Sequence, residues 1–371
     1  MKHRFGEVKF NLRKWRTNDS ELQKLINEAE GVKEDVNEGK VLGINWDTNT
    51  DELTINVKLL LPTDENYSKP TKVNILRIIA GVWDIIGFLQ PAIVHLKILF
   101  QRVHEFTSDW KTEIEGELLN DWEEFLSQMR SLKEFRIPRC YFPTDIDDPV
   151  ETIELHGFSD ASQKVYAACI YIKSITRSGK VVVRLVTSKS QIVPVRVNRN
   201  THTIPRAELL GNVILARLMM SVRNALTGEI EINDICYWTD SKCTLAWIKS
   251  WRKELKTFCE NRVREIRKIT DSDRWFYVNT KDNPADIITR SNNCESINSD
   301  IWLNGPLFLR TSDAKPELDV EEDGDDVKLM DRITGEKIDI PSDDFTHEVK
   351  NVTSVNIAAD DARRFSHFLR R

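Results

Sequence analysis

The sequence predicts a mixed α/β fold, with its sheet in the second half of the chain. Three observations carry the prediction. From residue 150, strand-like runs and helical runs follow in the order strand, strand, strand, helix, strand, helix, helix, strand, helix. Before that point, residues 71–135 keep apolar residues at helical spacing. Composition agrees: 371 residues, 40% hydrophobic and 30% charged, read as a soluble globular chain long enough for two domains and a sizeable core.

Taken in order, residues 1–62 are mixed. "ELQKLINEAEGVKEDV" reads as a helix, and "KVLGINWDTNTDELTINVKLLL" as two strands around a polar Asp47–Asp51 turn. "TKVNILRIIAGVWDIIGFLQPAIVHLKILFQRVHEF" is helical with a break near Gly87–Pro91, and "EGELLNDWEEFLSQMRSL" is a second amphipathic segment. Pro138, Pro143 and Pro149 then mark a linker. "ETIELHGFSDAS", "KVYAACIYIKS" and "VVVRLVTSKSQI" are three strands, the last two joined by a turn at Ser178-Gly179-Lys180. "IPRAELLGNVILARLMMSVRNAL" is a long helix, opened by Pro205 near its first turn. "INDICYWTDS" is the fourth strand; helical pieces follow at 244–250 and 256–269, then "DRWFYVNT" as the fifth strand and "NPADIITR" as a short helix. The division this suggests is 1–62, 63–149, 150–292 and a tail from 293 to 371. The tail's "PELDVEEDGDDVKLMD" has the composition of a disordered segment.

Charge is uneven. Residues 311–371 hold 16 acidic and 9 basic residues, so the net charge of −6 resides in the tail and the rest is nearly balanced. Six cysteines (Cys140, Cys169, Cys236, Cys243, Cys259, Cys294) show neither C-x-x-C nor paired Cys/His spacing, which argues against a zinc site or a disulfide framework. No apolar signal region opens the chain. The stretch Ile78 to Phe100 is broken by Asp84, Gln90-Pro91, His95 and Lys97, so it is not a membrane span. An intracellular location, cytoplasmic or nuclear, is the expectation.

Four carboxylates fall at matching structural places. Asp160 ends the first strand of the domain, Glu208 sits in the first turn of the long helix, Asp240 ends the fourth strand, and Asp286 begins the last helix. If the first and fourth strands are neighbours, Asp160 and Asp240 lie side by side. Taken singly, each has an ordinary explanation. A strand-end Asp can be a turn or N-cap residue, and a Glu or Asp at a helix start favours the helix dipole. Their order is the stronger signal. Carboxylates so close cannot all stay ionised without a cation, and oxygen-only donors favour Mg²⁺ or Mn²⁺. Two such ions about 4 Å apart can activate a water and stabilise the leaving oxygen of a phosphodiester.

Residues 150–292 resemble the ribonuclease H domain of BEL/Pao long-terminal-repeat retrotransposons. The carrying motifs are "LHGFSDAS", "VYAACIYIKS", "TIPRAELLGNVILARL", "YWTDSKCTLAWIKS", "TFCENRVREIRKI" and "NPADIITR". Upstream, "FNLRKWRTNDSEL" and "KVLGINWDTNTDEL" resemble the end of that element's reverse transcriptase, and "ILRIIAGVWDIIGFLQPAIVHLKILFQ" the segment joining it to ribonuclease H. The resemblance implies a ribonuclease H-like mixed five-stranded sheet with flanking helices. Ahead of it would stand a partial reverse-transcriptase palm/thumb and a helical connection. It also implies that Asp160, Glu208, Asp240 and Asp286 bind two Mg²⁺ (or Mn²⁺) ions and hydrolyse the RNA strand of an RNA/DNA hybrid. The sequence departs from the family's usual His-Val-Pro at Tyr277-Val278-Asn279 and from its Ser-Arg-Gly at Thr289-Arg290-Ser291.

A polymerase Y-x-D-D, an aspartic-peptidase D-[ST]-G and an integrase His/His/Cys/Cys cluster are all absent. The expectation is therefore a polyprotein fragment lacking polymerase and integrase portions. Peptidase activity is not expected, although the family region is also called Pao retrotransposon peptidase. Residues 177–226 carry nine basic residues against Glu208 alone, and 247–268 carry eight against three acids. Such surfaces bind phosphates in a salt-sensitive way, or are simply solvated faces. The expected nucleic-acid contacts are Ser159, Ser162, Ser241, Lys189, Arg196, Arg199 and Arg206, with His156 and His202 behind them. Trp247 and Trp251 read as packing residues more than as base-stacking ones. The competing reading is an inactive remnant that binds nucleic acid without cutting it.

Overall fold

The computed structural model describes residues 15–31, 38–41, 44–55, 61, 70–82, 84–132, 135–143, 145–194, 203–250, 255–290 and 293–311, with short strand pairs between 322 and 338. Helix α1 (Ser20–Glu30) begins where the Asp19 carboxylate accepts from the amides of Glu21 and Leu22, and ends at Gly31 with φ 66°. Strands β1 (Glu38–Val41), β2 (Ile44–Asp47) and β3 (Glu52–Ile55) form an antiparallel meander. Its Asp47–Asp51 turn is held by Arg139, whose guanidinium forks onto Asp51 at 2.6 and 3.0 Å while lying over the Trp46 ring.

Helices α2 (Lys72–Gly81), α3 (Gln90–Phe106) and α4 (Glu117–Ser131) follow. Asp84 breaks the path between α2 and α3, its carboxylate accepting from the amides of Phe88 and Leu89 at 2.8 and 2.9 Å. Strand β4 (Phe135–Pro138) then returns to pair with β3. The stretch expected to be linker thus starts inside the first sheet. Its alternating burial, Phe135 and Ile137 in, Arg136 and Pro138 out, is the reason.

The second sheet is built from β5 (Val150–Ala161), β6 (Val165–Thr176), β7 (Val181–Ile192), β8 (Asp234–Thr239) and β9 (Trp275–Tyr277), in the order β7-β6-β5-β8-β9. The first three strands are an antiparallel meander; β8 joins β5, and β9 joins β8, in parallel. The crossover from β7 to β8 carries α5 (Ile204–Leu226), and α6 (Lys242–Lys249) and α7 (Thr257–Ile269) lie between β8 and β9. Helices α8 (Asp286–Arg290) and α9 (Asp300–Asn304) follow β9. By length and composition α5 could cross a membrane, yet Leu209, Leu215, Ala216 and Met219 are buried on the sheet.

Helices α5, α6 and α7 cover one face of the sheet, over Leu155, Ile170, Ile172 and Tyr237. The other face, with Phe158, Cys169, Tyr171 and Trp238, is covered by α3, α4 and residues 294–309. Both faces of β6 are therefore dry, which is why "VYAACIYI" runs apolar without alternating. Residues 293–311, read as the start of the tail, belong to this core: Trp302 is fully buried and donates from Nε1 to the Phe88 carbonyl at 3.1 Å. Apolar content, with Ile297, Trp302 and Leu309, outweighs the acidity that begins beyond it.

Candidate active site

Register decides where the first two acids stand. Ser159 on β5 pairs with Thr239 on β8, so Asp160 and Asp240, one residue further along parallel neighbours, leave the sheet together. Asp160 is 2% exposed, and the other three acids are half-buried. Glu208 is the fifth residue of α5, just beyond its first turn. That helix lies close because Gly211 faces the Asp160 carbonyl, where a Cβ would come within 3.1 Å. Asp286 opens α8, whose last residue, Arg290, reaches back over the cluster.

Hydroxyls from elsewhere in the chain hold three of the acids. The Thr289 hydroxyl donates to Asp160 Oδ2, the Ser241 hydroxyl to Glu208 Oε2, and Thr280 Oγ1 to Asp240 Oδ2 at 2.9 Å. Asn283 ties the same corner together, donating from Nδ2 to the Ser159 carbonyl at 3.0 Å. Asp160 Oδ1 is buried with no hydrogen-bond donor. Its cationic neighbour is Arg290 Nη2 at 3.5 Å, while Arg290 Nε lies 2.9 Å from Asp286 Oδ1.

Burial raises the pKa of Asp160, and the Asp240 charge adds to it. Burial also raises Asp240 and Asp286. Burial alone would lower Arg290, but attraction from Asp160, Asp286, Asp240 and Glu208 outweighs it and holds the guanidinium above its usual value. All four acids therefore act on one cation.

The donor chemistry fits a hard divalent ion: oxygen ligands only, one of them a buried carboxylate oxygen without a donor. Among the described residues, no group of three or more His, Cys, Asp or Glu side chains stands ready to hold a metal ion. Arg290 lies against Asp160 and Asp286 instead.

The expected nucleic-acid contacts fare unevenly. Ser159 is 1% exposed and points away from the acids, donating to Asn212 Oδ1 at 2.6 Å; burial on the α5 face removes it from any ligand. Ser241 is 4% exposed, and besides holding Glu208 it caps α6. Ser162 closes the β5–β6 turn by accepting from the Val165 amide at 3.2 Å. Lys189 is exposed on β7. Arg206 lies over the Phe258 ring at 4.8 Å, with Arg262 at 3.5 Å. Arg196, Arg199 and His202 lie outside the described residues. His156 is buried away from the acids, and Trp247 is core, 1% exposed. Sequence reasoning overlooked Thr280, Thr289, Asn283 and Arg290 as partners of the acids.

A five-stranded mixed sheet in this order, with helices between its parallel strands, defines a ribonuclease H-like domain. Residues 71–241 match the family described as Pao retrotransposon-like RNaseH-like domain. Among solved structures, the chain is similar to the N-terminal RNase H domain of Rv2228c from Mycobacterium tuberculosis (12% identity, 37% of this chain and 90% of that one, TM-score 0.25). It is similar to RNase H1 from Halobacterium salinarum (10% identity, 40% and 98%, TM-score 0.25). LC11-RNase H1, solved in complex with an RNA/DNA hybrid, is a third (11% identity, 36% and 88%, TM-score 0.24). No curated protein matches the chain.

Proposed function

We propose that the domain is a divalent-metal ribonuclease H that hydrolyses the RNA strand of RNA/DNA hybrids. The observation that carries the proposal is the placement of Asp160 and Asp240 side by side at the ends of parallel neighbours, with Arg290 lying against Asp160 and Asp286. Carboxylates set this close in a half-buried corner are tolerated only around positive charge. Asp160, Glu208, Asp240 and Asp286 are the residues that would hold two Mg²⁺ or Mn²⁺ ions. Bound there, such ions supply an activated water and stabilise the leaving oxygen. The chain's own work is orientation: Thr289, Thr280 and Ser241 each hold one carboxylate oxygen of Asp160, Asp240 and Glu208.

Hybrid recognition would run through backbone phosphates and 2′-hydroxyls. Lys189, with Arg206 beside the Phe258 ring, supplies charge for it among the described residues. In the same reading, residues 1–62 are the end of a reverse-transcriptase palm/thumb and 63–149 a connection, within an intracellular retroelement polyprotein. Incubating the purified chain with a labelled hybrid and Mg²⁺ tests the activity. Cleavage should fall by at least about 100-fold in Asp240→Asn. No cleavage by the wild type, or cleavage indifferent to that substitution, removes the proposal.

A second reading, a non-catalytic nucleic-acid binder, is favoured by Arg290 standing against Asp160 and Asp286. Hybrid binding that weakens with salt, without turnover, would select it.

A further inference from the structure

We propose that Arg290 is a built-in counter-cation of the acid cluster, displaced when a divalent ion binds, so that this side chain sets the metal affinity of the site. The inference rests on the reading of the four acids as metal ligands. It starts from two contacts: Arg290 Nη2 is 3.5 Å from Asp160 Oδ1 and Arg290 Nε is 2.9 Å from Asp286 Oδ1. Asp160 Oδ1 has no hydrogen-bond donor, and the other oxygen of that carboxylate is taken by the Thr289 hydroxyl. The oxygen left for a metal is therefore the one the guanidinium faces.

A dication and a guanidinium cannot serve the same oxygens, because like charges a few ångströms apart repel. One must leave. Arg290 is able to: its side chain is 49% exposed, it is the last residue of α8, and the helical spacing from Asp286 places both on one side of that short helix. Lys173, the cation buried under the same sheet face, is 2% exposed and has no such exit. Holding the arginine in place keeps the apo cluster compensated. Releasing it lowers the apparent affinity for the ion. An ordinary surface ion pair with the same spacing would leave metal binding untouched.

Calorimetric Mg²⁺ titration of the full chain distinguishes the two, at about pH 9 so that protons compete little for the carboxylates. Arg290→Gln should bind Mg²⁺ about tenfold more tightly than wild type. Arg290→Lys, which keeps the charge but not the fork, should stay within about threefold of wild type. In EDTA, Arg290→Gln should melt below wild type, and Mg²⁺ should raise its Tm by the larger amount. Unchanged or weaker Mg²⁺ binding by Arg290→Gln overturns the proposal. Asp160→Asn separates the two layers of the argument. If wild type binds Mg²⁺, Asp160→Asn does not, and Arg290→Gln binds as wild type does, the metal reading stands and the counter-cation role alone is lost. If neither wild type nor Arg290→Gln takes up Mg²⁺, the metal reading fails and this inference with it.

Discussion

Glu154 and Lys173 form an ion pair sealed beneath the sheet, with Nζ 3.2 Å from Oε2 and side-chain exposures of 8% and 2%. His156 completes the group, and its tautomer follows from its neighbours. An indole nitrogen only donates, and Trp238 Nε1 lies 3.3 Å from His156 Nδ1, so Nδ1 accepts. The proton is then on Nε2, which donates to Glu154 Oε2 at 3.1 Å. Burial holds the imidazole below its usual pKa, in keeping with a neutral ring. Burial would raise Glu154, but the His156 hydrogen bond and the Lys173 charge outweigh it and hold the carboxyl below its usual value. Lys173→Met strands a buried carboxylate and should cost roughly 3 kcal/mol in urea unfolding, whereas Glu154→Gln/Lys173→Met should cost less than that single change. Acid acts in two stages, both in one direction. The unfolded chain protonates His156 first, so its contribution is whole above about pH 6.5 and declines as pH falls through that value. Glu154 contributes fully above its unfolded value of about 4.5, and that stability drains away as pH falls below it. Unfolding curves collected across that range should show stability falling throughout, with the lower stage flattened in Glu154→Gln. At the acids, Thr289→Val removes the hydroxyl that holds Asp160. Mg²⁺-dependent hybrid cleavage should drop by about 10- to 100-fold with little loss of stability, and Thr289→Ser should restore it.

Elements depend on a few residues that fit nowhere else. The turn between α2 and α3 lays its backbone along the free edge of β7: Ser188 N donates to the Ile86 carbonyl at 3.0 Å, and the Ser188 hydroxyl to the Gly87 carbonyl. Gly87 has φ 80°, and a Cβ there would drive into the Ser188 carbonyl oxygen. Gly87→Ala should therefore cost roughly 3 kcal/mol, read as a lower urea midpoint, because neither the turn nor the strand can yield without breaking this edge contact. The sequence marked a break at this place but not its purpose. It marked the five strands of the long sheet and α5 well, since three of those strands run twelve residues and Pro205 opens a helix with a 3.6-residue apolar period. β4 was hidden: "FRIP" is four residues of alternation beside a proline-marked linker, and its partner lies about 80 residues upstream. Among the site residues, the acids were legible by their order along the chain. Arg290 was not, because a cation four residues after an acid reads as an everyday helix pair. Thr280 and Thr289 were invisible for a similar reason. A hydroxyl's partner is chosen in three dimensions, and nothing in the spacing announces it.

The molecule as a whole turns on which chain segments close the second face of the long sheet. In a three-layer arrangement that face must be covered, and here Phe158 and Trp238 lie under Phe308, their ring centroids 6.3 and 5.0 Å from it. Tyr171 donates its hydroxyl to the Trp302 carbonyl at 2.8 Å, and the Cys294 amide donates to Gln128 Oε1 at 3.0 Å. Residues from α3, α4 and 294–309 thus interlock over strands they do not adjoin in sequence. Leu96, Leu99, Trp122 and Trp302 are nearly or wholly buried there. At about 25 cal/mol per Å² and roughly 150–250 Å² for each large aromatic, exposing such a face costs on the order of 10 kcal/mol, as much as a domain's entire stability. A chain cut to residues 150–292 keeps every strand of the long sheet and all four acids, yet bares that face. A chain spanning 70–311 keeps it closed. Expressed side by side, the longer piece should be monomeric and unfold in one cooperative step with a sharp midpoint. The shorter should bind a hydrophobic dye and either aggregate or lose its near-ultraviolet circular dichroism. Equal cooperativity in both would mean that the α5 face alone sustains the sheet, and that the helices ahead of it are passengers.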